Sequence, residues 1–211
     1  MVRVIFGVLC LWLLGACTAD HIFASDDEVS RAHYVDTAPS SITLITSINT
    51  RSGTGAHSAL IINGSERVLY DPAGSWVHPA SPERNDLRYG ITPVMLSYYT
   101  DFQGTAPFQV VQQTVFVSQA VADQAIAAAI AEGSAGKAEC TRANSAILRQ
   151  LPGFESIEST WFPKQLMKNY GQLPGVIQRT ITSEDGVLKR SLPGSPLQPP
   201  PEQVAAAAPA G

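Results

Sequence analysis

The chain has 211 residues, 45% of them hydrophobic, with 14 Lys and Arg against 18 Asp and Glu and a formal net charge of −4. That length and composition suit a single domain with a real apolar core. No cluster of Lys or Arg occurs, which argues against nucleic acid as a partner.

At the N-terminus Arg3 gives a short positive flank to an apolar run from Val4 to Leu14. The run falls short of the roughly 20 residues a spanning helix needs and has the proportions of a secretory signal peptide over residues 1–16. It ends in Leu14-Gly15-Ala16-Cys17, a branched apolar residue, two small residues and a cysteine. This resembles the bacterial lipobox. The resemblance implies cleavage before Cys17, a diacylglyceryl thioether on its sulfur and acylation of the new amine with palmitate-like chains. Two or more chains give stable membrane anchoring. The implied location is the cell envelope, facing the periplasm; Thr18 in place of Asp favours the outer over the inner membrane. Residues 17–38, with Asp26-Asp27-Glu28 and few apolar positions, read as a lipidated, solvated tether.

The folded unit is expected over residues 39–190. Ser41 to Ile48, β-branched, reads as a strand. His57 to Ile62 and Glu66 to Tyr70 read as a hairpin about the Asn63-Gly64-Ser65 turn, stopped by Asp71-Pro72-Ala73-Gly74. Residues 75 to 106 read as irregular, with Trp76, Tyr98 and Tyr99 placed to pack or to line a cleft. Phe108 to Val117 is a further strand, and Ser118 caps a helix from Gln119 to Glu132 ended by Gly133. Cys140 stands near the start of a helix running to about Leu151, and Pro163 lies in the first turn of another that ends at Tyr170. Val176 to Thr182 is a last strand. The class is α+β with a mainly antiparallel sheet. Residues 191–211, with Pro193, Pro196, Pro199, Pro200, Pro201 and Ala205 to Ala208, read as a disordered Pro/Ala tail.

Of three cysteines, Cys10 leaves with the signal and Cys17 takes lipid, so Cys140 has no partner for an internal disulfide. A nucleophilic cysteine needs its thiolate populated, which a helix start and an adjacent imidazolium both favour, although the Glu139 charge beside it opposes this. It also needs a base and a group to orient that base. His21 and His33 lie in the tether, and His78 lies in the irregular stretch. His57 opens a strand beside the Gly53-Thr54-Gly55 segment, which lacks the Lys and spacing of a phosphate loop. With a three-residue loop that sets Ile62 opposite Glu66, His57 falls opposite Asp71 on the same face. A shift of one residue would turn Asp71 away.

A strand beginning with His57-Ser-Ala-Leu-Ile-Ile, then Val68-Leu-Tyr-Asp71, then Glu139-Cys140-Thr-Arg-Ala-Asn144 on a helix resembles the circularly permuted branch of the NlpC-type papain-like peptidases, which includes lecithin retinol acyltransferase-like enzymes. These segments span about half of the folded unit. The resemblance implies a papain-like, circularly permuted fold, with Cys140 as nucleophile, His57 as base and Asp71 as its orienter. The implied activity is a thiol hydrolase or acyltransferase working on an amide or ester through a thioester. Its substrate would be an envelope molecule: a peptidoglycan peptide, a lipid or an acylated protein. Asn144 reads as an ordinary polar helix position. No cofactor is implied, and four ligands at zinc spacing are not evident. The other reading of the same features is a non-catalytic envelope lipoprotein that uses the fold for binding or assembly.

Overall fold

The computed structural model describes residues 22–184 and 187–190. The signal peptide, Cys17 and the Pro/Ala tail lie outside the described residues. Along the chain run α1 (Asp26–Ala32), β1 (Ser41–Asn49), β2 (Gly55–Asn63), β3 (Arg67–Tyr70), β4 (Glu83–Arg84), β5 (Leu87–Arg88), α2 (Pro93–Gln103), β6 (Phe108–Phe116), α3 (Gln119–Glu132), α4 (Cys140–Leu148), α5 (Pro163–Tyr170), β7 (Ile177–Glu184) and β8 (Val187–Arg190). The strands form one sheet in the order β4-β5-β3-β2-β1-β6-β7-β8, and every neighbouring pair is antiparallel. The α+β class with an antiparallel sheet is therefore as the sequence suggests.

Alternation along the strands divides the core in two. Ile42, Leu44, Leu60, Ile62, Val68, Tyr70 and Val115 point to one face and pack with residues of α3, α4 and α5, among them Ala125, Ile147, Leu166 and Tyr170. Ile45, Ala59, Ile61, Leu69 and Val110 point to the other, under Trp76, Ile91 and Tyr99. The central strands are apolar on both faces because both are covered, at roughly 1.5–3 kcal/mol for each large side chain removed from water. Local signals set the helix ends. Ser118 accepts from the Val121 N–H at the start of α3, and Gly133, with φ +71°, ends it.

Three segments depart from expectation, the first being the end of the sheet, where β8 (Val187–Arg190) pairs with β7 although no strand is expected after Thr182. Within the stretch read as irregular, α2 forms after Thr92, whose side chain accepts from the Met95 N–H, with Pro93 in the first turn. The start signal is in the sequence, but exposed Val94, Tyr98 and Phe102 blur the apolar periodicity that marks a helix. The expected tether is not free from Ile22 onward. Ser25 and Glu28 form a capping box at α1, and Phe23 bridges to Arg84. The Asn85 N–H donates to Ile22 C=O at 2.8 Å, and Arg67 pairs with Asp36 beneath the Tyr34 ring. Arg67, buried in the sheet, requires an anion, and Asp36 supplies it.

Candidate functional site

The site forms where a strand runs out. β3 ends at Tyr70, opposite Leu60. Pro72 then removes a ladder donor and the chain turns, with the Gly74 N–H donating to Asp71 C=O at 2.9 Å. The first residues of β2 keep β1 on one side, Ser47 opposite His57, but among the described residues no strand pairs with them on the other. Unpaired backbone groups are costly when buried, and α4 satisfies those of Ser58. Asn144 Nδ2 donates to Ser58 C=O at 2.8 Å and to Ser58 Oγ at 3.1 Å. The Ser58 N–H donates to the Cys140 sulfur. Ser58 Oγ also bonds Thr141 Oγ1 at 3.1 Å. Asn144 is thus a fully buried strut rather than an ordinary polar helix position.

His57 and Asp71 lie on the sheet face covered by α2, while Cys140 arrives on α4 from the opposite face; they meet around the open edge of β2. His57 Nε2 is 2.6 Å from Asp71 Oδ1, and the ring's remaining nitrogen is free for the hydrogen bond it makes with Cys140. The hairpin register differs from the expected one. Ile62 pairs with Val68 and Asn63 with Arg67, so the loop is Gly64-Ser65-Glu66. Extended past its end, this ladder sets His57 diagonal to Asp71, not directly opposite. The shift is two residues, which preserves the face; one residue would have separated the pair.

Tyr99, buried on α2, donates from its hydroxyl to the same Asp71 Oδ1 at 2.7 Å and accepts from Gln103 Nε2 at 3.1 Å. Gln103 is held in turn by Ser47 Oγ on its carbonyl at 2.9 Å. Gly74 makes room for the carboxylate: a Cβ there would stand 1.9 Å from Asp71 Oδ2.

Burial alone would raise the Cys140 thiol, but the hydrogen bond and charge of His57, the Ser58 N–H and the Thr141 hydroxyl bring it down to about 7. Burial alone would lower His57, but hydrogen bonds and charge from Asp71 and Cys140 lift it to about 10. A thiolate–imidazolium pair results over the interval between them. Glu139 does not contribute: its carboxylate turns back to the Gly136 N–H at 3.1 Å and to Arg142 at 3.3 Å. Among the described residues no side chain caps the start of α4, which leaves the positive end of that helix open beside the sulfur. His57 keeps 17% of its side chain exposed, and Cys140 is 7% exposed.

The other candidates stand apart. His33 ends α1 and pairs with Glu66 at 3.4 Å. His78 stacks on Trp76 and Tyr98 and accepts from the Ala80 N–H at 3.1 Å; His21 lies outside the described residues. Trp76 is buried against Tyr99 under the Arg88 guanidinium, while Tyr98 is exposed. An open groove of about 730 Å³ runs along α5, lined by Phe162, Lys164, Lys168, Gln113 and Gln178, and none of the three site residues lines it. Sequence reasoning missed Tyr99 as a partner of Asp71, since a buried tyrosine gives no signal of what its hydroxyl meets.

No helix among the described residues is long and apolar enough to cross a membrane. No protein-family model, no curated protein and no solved structure matches this chain.

Proposed function

We propose that this chain is a bacterial envelope lipoprotein, lipidated at Cys17, whose domain is a circularly permuted papain-like thiol hydrolase or acyltransferase. The observation that carries the reading is the continuous hydrogen-bonded line from Asp71 through His57 to Cys140, three residues nominated by sequence and drawn from three separate elements. Structural histidine–aspartate pairs are common, but few also lower a thiol at a helix start.

The roles follow from the geometry. The Cys140 thiolate attacks the carbonyl carbon of an amide or ester; a C–S bond forms and the carbonyl electron pair moves to oxygen. The Cys140 N–H at the open start of α4 stabilises that oxyanion. Collapse restores the carbonyl and breaks the bond to the leaving group, which takes a proton from the His57 imidazolium. The thioester then receives water, or an acceptor hydroxyl or amine, deprotonated by His57, and releases the thiolate. Asp71 keeps the ring oriented throughout. The proposed substrates are envelope molecules: a peptidoglycan peptide, a lipid or an acylated protein.

The burial of Cys140, 7% exposed, is what favours the second reading, a non-catalytic lipoprotein that keeps the arrangement for structure. Iodoacetamide labelling of the purified domain at pH 6 separates the two. The catalytic reading expects alkylation well above that of free cysteine and a slower rate in His57→Ala. A Cys140 inert under native conditions would favour the binding protein. Incubation with envelope fractions, followed by mass analysis for an acyl adduct on Cys140, then identifies the substrate class.

A further inference from the structure

His57 stands on β2, and its two partners are delivered by segments with no covalent reason to stay together: the turn after β3, bearing Asp71, and the loop 133–139 leading into Cys140. We infer that Asp86 is the positioning residue that fixes these two segments against each other and so sets the meeting of Cys140 with the His57–Asp71 pair. This inference rests on the catalytic reading above and adds to it a residue that neither the sequence pattern nor the line of site residues nominates.

Asp86 lies in the two-residue turn of the β4–β5 hairpin, with Arg84 paired to Leu87. Both turn residues adopt left-handed backbone, Asn85 at φ +50° and Asp86 at φ +67°, a conformation Asn and Asp tolerate better than most side chains. The residue is almost fully buried, and three of its hydrogen bonds reach the two segments. Its carbonyl accepts from the Asp71 N–H at 2.9 Å. One carboxyl oxygen, Oδ2, accepts from the Ala73 N–H at 2.9 Å and from the Ala135 N–H at 2.8 Å. Ala73 is two residues past Asp71, and Ala135 is five residues before Cys140. A single oxygen therefore clamps both segments. Tyr70, immediately before Asp71, adds a parallel tie from its hydroxyl to Gly133 C=O at 2.7 Å.

A turn that needed only its own closure would not direct its carboxyl inward. Burial raises the Asp86 carboxyl, and the neighbouring Asp71 charge adds to this, while the Ala135 and Ala73 N–H groups and Arg88 offset it. The other charged or titratable neighbours are Glu83 on β4 and the Tyr70 hydroxyl. Placing a carboxyl among acidic neighbours costs stability, and the two backbone bonds are what the fold gains from it.

The test compares wild type, Asp86→Ala and Asp86→Asn, together with Ile181→Val as a mildly destabilised control on β7, three strands from β2. The iodoacetamide rate is measured against pH at 25 °C, and melting temperature alongside. Wild type is expected to show a thiol titrating near 7. Asp86→Ala is expected to move that midpoint up by about one unit, lowering the rate at pH 6 about tenfold. Asp86→Asn, which keeps one acceptor oxygen for the two N–H groups, is expected to fall between them. Ile181→Val is expected to lose melting temperature with an unchanged midpoint. An unchanged midpoint and rate in Asp86→Ala, whatever its melting temperature, would overturn the inference. Should Asp86→Ala fail to fold, Asp86→Asn decides: a wild-type profile overturns the inference and a raised midpoint supports it. A wild-type thiol that titrates like free cysteine would instead remove the catalytic reading, and the role of Asp86 with it. That result differs from a tuned wild type with an indifferent variant.

Discussion

His57 and Tyr99 share one oxygen of Asp71: Nε2 of the imidazole lies at 2.6 Å and the phenol at 2.7 Å from Oδ1. The phenol comes from α2, which lies over one sheet face, and the thiol it serves comes from α4, on the other. Tyr99→Phe removes one donor from the carboxylate and leaves the ring packed against Trp76. A hydrogen bond to a charged group contributes about 1.5–3 kcal/mol, so the melting temperature should fall by several degrees. The remaining Asp71–His57 bond loses its fixed geometry, and iodoacetamide labelling of Cys140 should slow about three- to tenfold. A Tyr99→Phe rate equal to wild type would reduce the tyrosine to packing.

The pH profile follows from opposite shifts. The thiol is lowered to about 7 and the imidazole raised to about 10. A lowered thiol is charged above its midpoint, and a raised imidazole keeps its proton below its own. Alkylation should therefore rise through about pH 7 and then level. Acyl transfer, which needs the proton on His57, should fall again above about pH 10. In His57→Ala only the burial of Cys140 and its weaker local donors remain, so the thiol should move above the ordinary cysteine range. Labelling at pH 7 should then drop about a hundredfold. A stopped-flow pH series on both proteins measures this directly.

Gly74→Ala perturbs the site without substituting a titratable group. The added methyl must displace the Asp71 carboxyl, since its position would lie 1.9 Å from Oδ2. The expected result is a loss of about 1–3 kcal/mol of stability, as for other overpacked sites, with a rise in the Cys140 midpoint. Denaturant titration and the alkylation profile together check it. A stable Gly74→Ala with an unshifted thiol would show that the carboxylate has somewhere else to go.

Lipidation is tested at the sequence signal itself. Cys17→Ser should leave the precursor uncleaved and unlipidated, and mass analysis of the wild-type N-terminal peptide should find an acylated Cys17. A wild-type N-terminus free of lipid would leave the folded domain as described and remove the anchor.

Much of the frame was legible because its signals are local. The Ser118 cap, the Gly133 stop and the β-branched Ser41 to Ile48 run each act on neighbouring residues. The pairing of His57 with Asp71 was legible for a different reason: strand periodicity is two, and an error of two residues in register leaves a face unchanged. What stayed hidden depends on distant partners. Asp86 reads as a turn residue until the Ala135 N–H is seen against its carboxyl. Asn144 reads as a helix polar position until β3 is seen to end early and leave Ser58 unpaired. The segment from Ile22 to Ala38 looks soluble by composition, yet Arg67 and Asn85 hold it through contacts that no window on the sequence contains.

That attachment has a consequence for how the molecule would sit. Cys17 precedes Ile22 by five residues, a contour of at most about 18 Å, and Ile22 is bonded to Asn85, the neighbour of Asp86. With lipid on Cys17, as proposed, the leash is shorter than the domain is wide. The β4–β5 corner would then stay within that reach of the headgroups.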